Sequence, residues 1–264
     1  MTPARREPIA VFDSGLGGLT VLRALIDLLP HESFVYFGDT GRFPYGPKPR
    51  DEIMKHSLEI TDLLVARDAK LLVVACNSAA SVALGPIAAR VDIPVVGVVE
   101  PGLRAATRVT QSRSVGVIGT VGTIGSGAYQ RAAAGADIDL TCAACPGFVE
   151  LVEAGDVDSD QVYVLAERLL APVRAAGVDT LILGCTHYPL LARVIGDVMG
   201  RDVTLVSSAD ETAFEVRELL AERKPPAVAP SRAFITSGDG RTFRELAGRF
   251  LGPEVDAVEV HGWS

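Results

Sequence analysis

Cysteine, long apolar runs and basic tracts are all scarce in this chain of 264 residues. Four cysteines are too few for a disulfide framework, so the fold must rest on a hydrophobic core, as suits a reducing compartment. Near the N-terminus only Ile9 to Phe12 form an apolar run, too short for a signal-peptide core or a membrane span. Arg5 and Arg6 there read as part of a solvated tail. With 25 Lys and Arg against 33 Asp and Glu, the net charge is −8. That average field disfavours nucleic acid or an anionic membrane as partner. The Gly-rich turns at 15–18 and 119–127 fit neither the dinucleotide nor the P-loop pattern, which argues against a bound nucleotide. No lysine follows a strand end in a pyridoxal-phosphate motif. Cys142-Ala-Ala-Cys145 lacks the second pair or the histidines of a zinc site. It reads as a structural pair on or after a strand, with a redox role as the competing reading. What remains is an expected soluble, cytoplasmic, globular protein.

The material for a core is ample. Hydrophobic residues make up 48% and charged residues 22%, which excludes disorder as the main state. Eight runs of four or five residues carry the apolar content: Ile9–Phe12, Phe34–Phe37, Leu71–Ala75, Val95–Val99, Val115–Ile118, Thr180–Leu183, Val203–Val206 and Ala233–Thr236. Runs of this kind suit strands buried on both faces of a parallel sheet. Amphipathic stretches near 19–29, 50–67, 78–90, 122–134, 159–175, 189–199, 210–223 and 240–251 predict helices between them. Lys224–Pro230 reads as a stiff connection. The alternation gives an α/β fold with mainly parallel sheets and helices on both faces.

An internal echo divides this pattern in two. Asp13 and its Gly-rich turn recur at Gly119, and Cys76-Asn-Ser recurs as Cys185-Thr-His, offsets of 106 and 109 residues. Two pseudo-symmetric α/β domains follow, with the active site in the cleft between them. The first covers 8–98 plus a returning 209–264, the second 99–208. Each cysteine closes an apolar strand and precedes a helix, at the strand ends where open parallel sheets hold their ligands. The positive end of a helix is expected to pull such a thiol below its ordinary pKa. A nucleophilic hydrolase would need one thiol and a base. A racemase needs two, one removing the Cα proton from one face and the other delivering a proton to the opposite face.

Phe12-Asp-Ser-Gly-Leu-Gly-Gly-Leu19, Tyr36-Phe-Gly-Asp-Thr40, Phe43-Pro-Tyr-Gly46, Ala75-Cys-Asn-Ser78, Glu100-Pro101, Leu151-Val-Glu-Ala-Gly155 and Gly184-Cys-Thr-His-Tyr-Pro189 together resemble the glutamate racemases. These belong to the cofactor-independent aspartate/glutamate racemase group. Matching segments run in order from about residue 8 to the end, through Thr236-Ser-Gly-Asp239 and Phe250-Leu-Gly252. The resemblance implies interconversion of L- and D-glutamate, with Cys76 and Cys185 as the proton-transfer thiols and no cofactor or metal. It places Asp13, Ser14, Tyr45, Gly46, Asn77, Ser78, Thr120, Thr186 and His187 around the substrate. Asp39, Glu153 and His187 fall where the family has polar groups that assist or tune the thiols. Asp13, Glu153 and His187 thus join the catalytic candidates, and Asp39 joins the substrate-binding ones. The family usually has Thr at Ser78, where Ser keeps the hydroxyl. Through the family, D-glutamate would feed peptidoglycan synthesis and the chain would form a homodimer.

Some of these positions also speak for themselves. Asp13-Ser14 before Gly15, Gly17 and Gly18 offers a carboxylate, a hydroxyl and open N–H groups, although Asp13 could equally cap the next helix. His187, two residues past Cys185, could lend that thiol positive charge. Glu153 alone reads as a surface carboxylate, and Tyr45 as a turn aromatic that walls a pocket or packs a loop. Three rivals stand beside the racemase reading: a related racemase of aspartate or another small acid, a redox protein using Cys142 and Cys145, and a non-catalytic amino-acid-binding module.

Overall fold

All eight apolar runs become strands, and two further strands join them. In chain order they are β1 (Ile9–Asp13), β2 (Phe34–Gly38), β3 (Leu71–Val74), β4 (Val95–Gly97), β5 (Ser114–Gly119), β6 (Asp139–Ala144), β7 (Thr180–Gly184), β8 (Thr204–Val206), β9 (Arg232–Thr236) and β10 (Val258–Val260). The computed structural model describes residues 7–223, 228–252, 255 and 257–263, with Arg249 described by its backbone alone. The Arg5–Arg6 tail and residues 224–227 of the expected stiff connection lie outside these. β6 escapes the apolar-run criterion because it is an edge strand with a half-exposed sequence, DLTCAA. An edge strand has one neighbour and so needs fewer apolar side chains than a central one.

Every ladder is parallel. The first sheet runs β10-β9-β2-β1-β3-β4 and the second β6-β5-β7-β8. The order β2-β1-β3-β4 in one is therefore β6-β5-β7-β8 in the other, which is the sequence echo in three dimensions. Ile9 lies level with Phe34 and Leu71, and Val115 level with Leu140 and Thr180. β1 and β5 are equivalent centre strands, and β3 and β7 are equivalent strands ending at the two cysteines.

The helices are α1 (Leu19–Leu28), α2 (Arg50–Val65), α3 (Asn77–Ala88), α4 (Val99–Val109), α5 (Val121–Gly125), α6 (Ala128–Ala132), α7 (Phe148–Ala154), α8 (Asp160–Ala175), α9 (Ala192–Met199), α10 (Ala209–Leu219) and α11 (Gly240–Leu251). Three expectations need correction. The stretch 122–134 is broken into α5 and α6 by Gly127, whose φ of +70° is left-handed and cannot continue a right-handed helix. The run Val95–Val99 is shared, its last residue opening α4, a helix not anticipated from sequence. The stretch 189–199 starts as a 3₁₀ turn over Tyr188–Leu191 before α9.

Alternation along the strands sorts side chains into two cores. Val117 faces an apolar cluster shared with β1–β4, α1–α3, Ile182 and Val206, whereas Ile118 faces a cluster with Leu181, Leu183 and Val162, Ala166, Leu170 and Val173 of α8. Each fully buried Val or Leu contributes roughly 1.5–3 kcal/mol. The first cluster joins both sheets, so the strand ends that carry the cysteines are held against one another by packing.

Candidate active site

Four equivalent strand ends, after β1, β3, β5 and β7, supply Ser14, Cys76, Thr120 and Cys185 to one cleft of about 580 Å³. Parallel strands deliver all their carboxyl ends to one side, and two such sheets packed together close a pocket between those ends. The loop after β2 adds Phe43, Tyr45, Gly46 and Pro47, α3 adds Asn77 and Ser78, and the turn after β7 adds Thr186 and His187. Cys76, Asn77, Ser78, Cys185, Thr186 and His187 are all buried.

The two thiols sit in different surroundings. Cys76 immediately precedes α3, and its Sγ donates to Ser14 Oγ at 3.6 Å. Burial, followed by the nearby Asp13 carboxylate, pushes its pKa up to about 12, against the pull of the Ala79 and Ser14 N–H groups. The expectation that the helix terminus would depress this thiol is thus overturned: removal from water outweighs two N–H dipoles. Cys185 Sγ lies 3.8 Å from His187 Nδ1, while His187 Nε2 is 2.7 Å from Glu153 Oε1. Burial works to lower the His187 pKa, but the bonds to Cys185 and Glu153 and the charges of Cys185 and Asp13 outweigh it and raise it to about 10. The imidazole therefore presents a positive charge to Cys185 at neutral pH. Phe43 and Phe250 flank its ring, each with centroids 6.0 Å away, which keeps water from competing for those bonds.

Asp13 does not cap α1, which starts behind Gly18 without a side-chain cap. Its Oδ2 instead accepts from Gly15 N at 3.0 Å, and Oδ1 accepts from Thr186 Oγ1 at 3.4 Å across the two sheets. Fully buried, its pKa is raised, burial outweighing the opposite pull of His187 and the backbone N–H groups. Asp13 and Glu153 lie behind the lining rather than in it, Glu153 through its bond to His187. Gly17 makes the approach possible, because a Cβ there would lie 2.3 Å from Thr186 Oγ1 and 2.6 Å from His187 Nδ1.

Also in the cleft, Ser78 Oγ is 2.9 Å from Thr120 Oγ1 and 3.3 Å from Thr123 Oγ1, and Thr120 caps α5 through Thr123 N. The Gly46 carbonyl accepts from Gly122 N at 2.9 Å. Asp39 is a correction to its expected place at the substrate. Its Oδ1 accepts from Ser237 Oγ at 2.6 Å and Trp263 Nε1 at 2.9 Å, and its Oδ2 from Arg42 Nε at 2.8 Å and the Tyr45 hydroxyl. With all four acceptor positions taken and no exposure, it holds the Tyr45 loop and does not line the cleft. Burial and the Asp39 charge raise the Tyr45 pKa, so that hydroxyl stays a donor.

The Cys142–Cys145 pair separates. Both are free thiols, Cys142 packing against the first apolar cluster and Cys145 belonging to the second. Cys145, with Pro146, Gly147, Val149 and Glu150, lines the cleft. The sequence marks Cys145 only as a structural or redox cysteine and does not mark the other four, because β6 is not an apolar run; the Cys-Pro-Gly turn ending it was the available signal for a place on the cleft wall. Among the described residues, no group of three or more His, Cys, Asp and Glu could hold a metal ion, and no helix is long and apolar enough to cross a membrane.

Comparison with known proteins bears on this geometry. The sequence model of the Asp/Glu/hydantoin racemase family matches residues 19–216. A glutamate racemase of Parafrankia sp. (strain EAN1pec) is 52% identical, the alignment covering 96% of this chain and 94% of that one. Among solved structures, the glutamate racemase isoform RacE1 of Bacillus anthracis superimposes with a TM-score of 0.91 at 41% identity, over 98% of this chain and 97% of that one. The Francisella tularensis glutamate racemase, solved in complex with D-glutamate, gives a TM-score of 0.91 at 32% identity, over 97% and 98%. A cleft with one thiol from each of two equivalent strands, together with these matches, shows that the chain belongs to the Asp/Glu/hydantoin racemase family.

Proposed function

We propose that this chain interconverts L- and D-glutamate by proton transfer between Cα and two thiols, Cys76 and Cys185. The carrying observation is their placement after equivalent strands β3 and β7, on the wall of one cleft. One sulfur, as thiolate, takes the Cα proton, and the electron pair left behind spreads into the neighbouring carboxylate. The other sulfur, as thiol, returns a proton to the opposite face. The first sulfur then carries a proton and the second the charge, which is the state the reverse reaction needs. Nothing is oxidised or reduced. The raised pKa of Cys76 and the imidazolium beside Cys185 support a resting enzyme in which Cys76 keeps its proton.

A chain of net charge −8 must hold an amino acid bearing two carboxylates by local donors. The hydroxyls of Ser14 and Ser78 serve that role, while the oxygens of Thr120 and Thr186, whose hydrogens go to Thr123 and Asp13, and the uncommitted Asn77 carbonyl oxygen suit the ammonium group. His187 and Glu153 tune Cys185, Asp13 orients Thr186, and Tyr45 and Gly46 wall the pocket. Two domains, 8–98 plus 209–264 and 99–208, would grip the substrate between them. The product would feed peptidoglycan synthesis in the cytoplasm, and the working form is a homodimer.

Incubation with L-glutamate in heavy water tests the reading. Loss of the Cα proton signal should accompany loss of circular dichroism, and Cys76→Ala and Cys185→Ala should each abolish racemisation. Near-normal turnover in both directions by either variant rules out the two-thiol mechanism, and faster loss of L-aspartate than of L-glutamate would reassign the substrate.

A further inference from the structure

Tyr129 is almost fully buried, yet it touches the turns of both thiols. It stands on α6, whose start at the left-handed Gly127 turns the chain inward. Its hydroxyl oxygen accepts from Asn77 Nδ2 at 3.0 Å, and Asn77 follows Cys76 directly. The same hydroxyl end of the ring packs against Gly184, which precedes Cys185: a Cβ at Gly184 would lie 3.2 Å from both Cε2 and the hydroxyl oxygen of Tyr129. The residue joined to one cysteine by a hydrogen-bonded amide is thus also in contact with the residue joined to the other. Asn77 shows the consequence. Because Nδ2 is committed to Tyr129, Oδ1 is the amide atom left over, buried and without a partner. Such an atom is costly unless a ligand donor meets it. Tyr129 itself is not on the cleft wall, so it acts through its neighbours.

We propose that Tyr129 is a positioning residue that sets the spacing of the two thiol-bearing turns and fixes the Asn77 amide with its oxygen free for the substrate. This rests on the two-thiol racemase reading. Proton transfer from one face and return on the other require both sulfurs within reach of one Cα at once, and displacements of about 1 Å are enough to cost large factors in rate. The ring supplies a rigid spacer between the turns, and the hydroxyl supplies the anchor.

The test follows L-glutamate in heavy water with wild type, Tyr129→Phe and Tyr129→Leu. Two quantities are read: inversion to D-glutamate, and deuterium appearing at Cα of the remaining L-glutamate. Tyr129→Phe keeps the spacer and loses the anchor. KM should rise about five- to tenfold, with kcat changed less and the ratio of retained exchange to inversion unchanged. Tyr129→Leu loses both, and that ratio should rise severalfold as one thiol returns deuterium before the other can deliver. A purely structural residue would lower exchange and inversion in proportion, so an unchanged ratio in Tyr129→Leu overturns the spacer. If Tyr129→Leu does not fold, Tyr129→Phe decides: KM and kcat equal to wild type overturn the proposal. A wild type that neither exchanges nor inverts would instead sink the racemase reading.

Discussion

Replacing Glu153 by glutamine leaves the shape of the His187 site intact and removes one charge. Glu153 Oε1 accepts from His187 Nε2 at 2.7 Å, with the His187 side chain 3% and the Glu153 side chain 21% exposed. A glutamine carbonyl can still accept that hydrogen bond, so the loss is the difference between a charge-assisted bond, about 1.5–3 kcal/mol, and a neutral one, about 0.5–1.5 kcal/mol. That difference of roughly 1–1.5 kcal/mol is about one pKa unit. His187, raised to about 10 in the native protein, should then titrate near 9. At pH 7.5 the imidazole stays charged in both proteins, and turnover should differ little through this group. The alkaline limb of kcat/KM should move down by about one pH unit. Linkage fixes the stability side. A group whose folded pKa lies above its unfolded value of 6.5 stabilises fully below that value, and the contribution is lost as pH rises through about 10. Titration of the His187 ring by nuclear magnetic resonance, beside pH–rate profiles of both proteins, makes the measurement. A native His187 titrating near 6.5, or an alkaline limb that Glu153→Gln does not move, would refute the account of this site.

Gly17→Ala places a methyl carbon 2.3 Å from Thr186 Oγ1 and 2.6 Å from His187 Nδ1; overpacking of this kind costs about 1–3 kcal/mol and, because it pushes the Cys185 turn away from β1, should lower kcat more than tenfold in a racemisation assay. Trp263→Leu removes a bond to buried Asp39 and the ring on which Arg42 lies at 3.8 Å; a loss of about 2–3 kcal/mol should appear as a lower melting temperature together with a raised KM, as the Tyr45 loop loosens.

Much of the site could be read before folding because it follows strand ends. Ser14, Cys76, Thr120 and Cys185 each come at the close of a short apolar run, and a parallel sheet brings such closes to one side whatever the rest of the chain does. The echo between Cys76 and Cys185 was legible for the same reason: β2-β1-β3-β4 and β6-β5-β7-β8 repeat one local grammar. The apolar-run criterion missed two edge strands, β6 and β10, and because β6 is too polar to stand out, the place of Cys145 and Glu150 on the cleft wall was not legible. Helix α4 was hidden because its first residue extends an apolar run.

The amino-acid sequence alone determined the parallel α/β class, the two thiols and most of the hydroxyls, since these depend on patterns within a few residues. Tertiary structure decided what each polar group is for. Asp39 ends a strand just as Asp13 does, but β2 pairs with β9, so Ser237 and, behind it, Trp263 reach its carboxylate and turn it into a loop clasp. The pKa of Cys76 was decided likewise, because burial depends on how completely two sheets close over a strand end. Neither partner choice nor exclusion of water is a local property of the chain, and both arise only when segments far apart in sequence pack together.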